Sequence, residues 1–89
     1  MNPYTNKKLF NIADKKAEKL GVDIRVSKSK NKKLDVITKS GKIIPIGDKR
    51  YEDYNIHKDA KRRANYKSRH QSNRTKKGTA GYYADKILW

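Results

Sequence analysis

Apolar residues in this chain fall into three patterns, and each predicts a different element. From Thr5 to Leu20, Leu9, Ile12, Ala13, Ala17 and Leu20 recur at spacings of three and four with Phe10 beside them, the signature of an amphipathic helix. Thr5 or Asn6 can cap its start and Gly21 can end it, which places a helical segment in residues 1–21. Next, Val22, Ile24 and Val26 alternate with Asp23, Arg25 and Ser27, and Leu34, Val36 and Thr38 alternate with Asp35, Ile37 and Lys39. A period of two puts alternate side chains on one face of a strand. Ser40-Gly41-Lys42 supplies turn chemistry before Ile43, Ile44, Pro45 and Ile46, so residues 22–47 read as a three-stranded antiparallel meander. Pro45 cannot donate to a ladder, so the third strand lies at an edge or ends there.

The second half is less apolar. Gly47 to Asn55 forms an irregular bridge, and residues 48–57 read as a loop. Residues 58–73 follow as a basic helix whose apolar stripe is thin: Ala60, Ala64 and either Tyr66 or His70. In residues 79–89, Thr79 can cap a last short helix with Tyr83, Ala84, Ile87 and Leu88 on one face, and Trp89 follows. Exposing so many apolar groups together would create a large sticky patch, so this segment is expected to dock on the core. The elements make one α+β domain: an N-terminal helix, a small three-stranded antiparallel sheet, a basic helix and a short C-terminal aromatic helix.

Composition sharpens this picture. With 89 residues, 34% hydrophobic and 37% charged, there is material for one thin core. The formal charge is +15 and the isoelectric point is near 10.1. Both halves are positive: twelve bases against four acids in residues 1–45, and twelve against five in residues 46–89. Such a balance points to a polyanionic partner, above all nucleic acid, whose binding would also relieve self-repulsion. The absence of cysteine removes disulfides, thiolate nucleophiles and cysteine-based zinc sites. No apolar run approaches a membrane span, and Met1 to Phe10 lacks the apolar stretch of a signal peptide, so a protein that is neither membrane-bound nor secreted is expected.

The main candidate surface is the basic helix with Lys61, Arg62, Arg63, Lys67, Arg69 and Arg74. Its arginines can make paired hydrogen bonds to phosphate. Lys30, Lys32 and Lys33, beside Lys28 in the proposed hairpin loop, form a second cluster suited to unspecific phosphate contact. The plainer alternatives are a solvated helical face and a polar turn. Tyr51, Tyr54 and Tyr66 can stack on unpaired bases, although a small protein with one Phe and one Trp needs tyrosines in its interior, and core packing is the leading expectation. His57 and His70, with Glu52, Asp53 and Asp59 nearby, match no ligand or catalytic spacing, and Gly78 and Gly81 form no phosphate-binding loop. The expectation is therefore a non-enzyme without metal or cofactor.

One further signal is the order of residues in the second half. Asp53-Tyr54-Asn55-Ile56-His57-Lys58-Asp59, then Arg62-Arg63, Tyr66, Arg69-His70, and Gly78-Thr79-Ala80-Gly81-Tyr82-Tyr83 through Ile87-Leu88-Trp89 resemble a family of short basic proteins encoded by large nucleocytoplasmic DNA viruses, the giant viruses. The resemblance covers roughly residues 34–89, including the Gly47-Asp48 turn. It implies a viral origin and a place in the virion or the host-cell viral factory, and it brings no catalytic residues. Two roles then fit the charge. One is a genome-associated, weakly sequence-specific nucleic-acid binder, with DNA ahead of RNA. The other is a minor capsid protein that docks on other capsid proteins through Trp89 and its neighbours.

Overall fold

The computed structural model describes residues 2–89 and, at Asn73, the backbone alone. Residue 1 of the expected 1–21 segment lies outside the described residues. Asn2 accepts the Tyr4 N–H and opens a 3-10 turn, Pro3–Thr5, and the helix proper, α1, runs Lys7–Leu20. Of the two candidate caps, Asn6 does the work: its side chain accepts the Leu9 N–H at 3.1 Å. Gly21 closes α1 in the left-handed region at φ 73°, where its N–H reaches the carbonyls of Ala17 and Glu18.

The meander follows as β1 (Asp23–Val26), β2 (Lys32–Ile37) and β3 (Ile43–Asp48), antiparallel in the order β1-β2-β3. Its register aligns Ile24, Val36 and Ile44 in one row and Val26, Leu34 and Ile46 in the next, which gathers the branched side chains into the core. β3 does not stop at Pro45 but runs on to Asp48. As an edge strand it tolerates a residue without an N–H.

The bridge is not wholly irregular, because Tyr54–His57 makes one helical turn, α2. The basic helix is shorter than residues 58–73: α3 spans Ala60–Arg69, breaks at His70, and a separate turn α4 covers Gln71–Arg74. Its start is set by Lys58 at φ 55° and by Asp59, whose carboxylate accepts the N–H groups of Lys61 and Arg62. Thr79 caps α5 (Ala80–Tyr83) as expected, and the chain then widens into a π turn, Ala84–Leu88, closed by the Trp89 N–H on the Ala84 carbonyl at 3.2 Å. This turn sends Asp85, Ile87 and Leu88 into the interior, against α1 and β3. A Cβ at Gly47 would lie 2.8 Å from Leu88 Cδ1, so β3 and the C-terminal segment approach this closely only because that position is glycine. The C-terminal segment thus docks on the core, with Tyr83, Ile87 and Leu88 buried. Among the described residues, no helix is long and apolar enough to cross a membrane.

Candidate functional site

α3 presents three different faces, and the helical period sorts its basic residues among them. Lys61, Ala64 and Ser68 share an outward face, all exposed, with one charge among them. Ala60 and Ala64, expected to form an apolar stripe, are both exposed, and α3 buries no residue at all. Stacking on the C-terminal segment holds the helix in place instead. Tyr66 lies flat on Trp89, with ring centroids 4.1 Å apart and planes 3° from parallel, and His70 stacks on Tyr66 at 4.3 Å. The His57 ring lies 5.3 Å from Trp89. Arg63 adds a hydrogen bond of 2.6 Å to the main-chain oxygen of Trp89 and lies over the Tyr54 ring. Burial, and then the charge of Asp85, push the Tyr66 phenol above its ordinary pKa.

The third face of α3, with Arg62, Asn65 and Arg69 at spacings of three and four, forms one wall of a groove of about 630 Å³. The groove is also lined by the end of β3 and the start of the bridge, from Pro45 to Asp48 and at Tyr51, Glu52 and Asp53, with Lys32 and Lys33 beside them. Tyr66 and Trp89 contribute to the lining, as do Ala80, Gly81 and Ala84 of the C-terminal segment. The acids here are not equal. Asp48 is held by Arg50 at 2.8 Å, and the hydrogen bonds from Arg50 pull its carboxyl down to a pKa of about 2. Glu52 meets Arg62 only at 3.5 Å, with both side chains at least half exposed, a pairing that is easily exchanged. Among the described residues, Arg69 has no acidic partner within ion-pair distance.

Beneath the groove lies a different use of charge. Lys33 is 2% exposed, and its ammonium donates to Asp53 at 2.9 Å and to the Tyr51 carbonyl. The same carboxylate accepts the Tyr4 hydroxyl at 2.9 Å, and the Asn55 amide donates to the Tyr4 oxygen and to the Ile87 carbonyl. Lys16 donates to the Asn55 carbonyl oxygen at 2.6 Å, and burial, with Arg63 next in weight, lowers its pKa. The chain start, α1, β2, the bridge and the C-terminal segment are thus tied by one polar network. Desolvation and the neighbouring Asp53 charge push the Tyr4 phenol far above its ordinary pKa of 10.0, so it stays a neutral donor. A second buried carboxylate, Asp85, receives Lys67 at 2.6 Å and has Arg74 at 3.9 Å.

These contacts divide the residues singled out from sequence. Lys32, Arg62 and Arg69 line the groove, and Lys30 and Lys61 stand exposed away from its lining. Lys33 does not belong to a surface loop: the strand begins at Lys32, and Asp53 holds the next side chain inside. Lys67 and Arg74 are likewise committed, the first to Asp85 and the second to the Lys67 carbonyl, Gln71 and Asp85. Of the tyrosines, Tyr66 is used in the internal stack, Tyr54 is half-buried under Arg63, and Tyr51 is 64% exposed on the groove wall. Packing instead falls to Tyr4 and Tyr83. Sequence reading missed the polar network, because nothing in the local pattern of the bridge marks Asp53 and Asn55 as buried. Among the described residues no three His, Asp or Glu side chains converge as metal ligands.

A family of unknown function, DUF5754, matches residues 22–70, more than half of the chain, and the protein belongs to that family. The matched segment runs from β1 to the end of α3 and carries Lys32, Tyr51, Arg62 and Arg69 as well as Lys33, Asp53 and Asn55. No curated protein and no solved structure matches the chain.

Proposed function

We propose that this member of the DUF5754 family is a non-catalytic, weakly sequence-specific nucleic-acid-binding protein that contacts phosphates through Lys32, Arg62 and Arg69. The observation that carries the reading is the groove. Besides Lys33, which is paired with Asp53, three basic side chains line one concavity of a chain with charge +15, and among the described residues none of these three has a buried acidic partner. Guanidinium groups suit phosphate oxygens, and backbone contact of this kind brings affinity without a base code. Lys30 and Lys61 add to the surrounding field rather than to the site. The viral resemblance extends this to a genome-associated role in a large DNA virus, in the virion or viral factory, with DNA ahead of RNA.

The capsid alternative has less support, because its proposed anchors are already used. Trp89 lies on Tyr66, and Ile87 and Leu88 are buried in this chain's own core. The test is binding of labelled DNA and RNA by the purified chain across salt concentrations, beside an Arg62→Ala/Arg69→Ala variant. Three phosphate contacts give a slope of log affinity against log salt of roughly −2 to −3, and the variant should lose about two thirds of it. Absence of binding near physiological salt would sink the reading.

A further inference from the structure

We infer that the groove takes single-stranded rather than duplex nucleic acid, with an unpaired base against Tyr51 and the flanking phosphates on Arg62 and Arg69. This rests on the nucleic-acid reading above and adds the class of strand. To read the bases of a duplex, a helix enters a major groove about 12 Å wide with its charged face free. The basic residues of α3 do not share one free face. Arg62 and Arg69 line the groove together with Pro45–Asp48, Tyr51 and Glu52, while Arg63, although exposed, donates to the Trp89 main-chain oxygen and Lys67 donates to Asp85. The face left open, Lys61, Ala64 and Ser68, carries one charge. A slender strand can enter where a duplex cannot. The groove, at about 630 Å³, is of the size that encloses small ligands, ~300–1,000 Å³.

Its chemistry also fits an unpaired base. Tyr51 is the most exposed large apolar side chain among the described residues, at 64%, and it lines the same groove as the arginines. Arg50 lies 5.6 Å from its ring centre while its guanidinium is fixed by Asp48, so the ring is positioned from one side. A base stacked on such a ring contributes about 1–3 kcal/mol irrespective of sequence. Asn65 and Glu52 add hydrogen-bonding groups beside it, and a phosphate on Arg62 displaces only the loose Glu52 contact.

The experiment measures fluorescence anisotropy of one labelled oligonucleotide, single-stranded and annealed, with the full chain and with Tyr51→Ala. Trp89, the one tryptophan, lines the groove and gives a second signal by quenching of its emission. Single strands should bind at least about 10-fold more tightly than duplex and quench Trp89. Tyr51→Ala should weaken single-strand binding by about 5- to 150-fold, far more than it weakens duplex binding, and preserve the circular dichroism spectrum. Equal affinity for both forms, or a Tyr51→Ala variant that binds single strands like the parent, overturns the inference and leaves the nucleic-acid reading standing. Failure to bind either form removes both.

Discussion

The groove and the buried network both use basic side chains, and β2 shows the difference in neighbours: Lys32 lines the groove without a buried partner, while Lys33, at the groove's floor, is 2% exposed and bound to Asp53. α3 repeats the division, since Arg62 and Arg69 face the groove while Lys67 is tied to Asp85. The two sets do opposite things energetically. A charge in the groove has little effect on stability because water already solvates it, whereas a buried ammonium is tolerable only with its partner in place. Positive charge in this protein is therefore two resources, one for a ligand and one that ties segments distant in sequence.

The comparison can be broken most directly at Lys33. Lys33→Ala leaves the Asp53 carboxylate buried with only the Tyr4 hydroxyl, and the expected loss is about 3–5 kcal/mol by urea denaturation, the largest effect in the chain. A loss below about 1 kcal/mol would mean that the network tolerates an unpaired charge. Lys67→Ala should cost less, about 1–3 kcal/mol, because Arg74 at 3.9 Å remains beside Asp85. A smaller, pH-dependent effect belongs to Tyr4. Its folded pKa lies above its unfolded value, so its contribution is intact below about pH 10 and is lost as pH rises beyond that, by up to about 1.4 kcal/mol per unit. Tyr4→Phe should flatten that alkaline limb, and an unchanged slope would remove Tyr4 as its source. Smallest of all is the stability change of Arg62→Ala/Arg69→Ala, within about 0.5 kcal/mol, although its ligand binding should fall most. A large stability loss there would show that the groove arginines are structural after all.

Much of the fold was legible along the chain because periodicity and capping are local. The spacing of Leu9 to Leu20, the alternation through β1 and β2, the Asn6, Gly21 and Thr79 signals and the docking of Tyr83, Ile87 and Leu88 all follow from neighbours within a few residues. Helix α3 was legible as helix but not in its orientation. Of the stripe Ala60, Ala64 and Tyr66 or His70 expected to face the protein, Tyr66 and His70 do so, yet stacking of Tyr66 on Trp89, 23 positions away in the chain, turns the helix so that both alanines face solvent.

By itself, then, the sequence determined an α+β chain with a thin core and an excess of positive charge, since these depend on composition and short-range period. Only the tertiary structure decided which charges are free. Lys33 meets Asp53 twenty residues away, and Lys67 meets Asp85 eighteen away. A lysine's burial depends on whether a distant carboxylate arrives to offset its lost hydration, and no local pattern records that arrival.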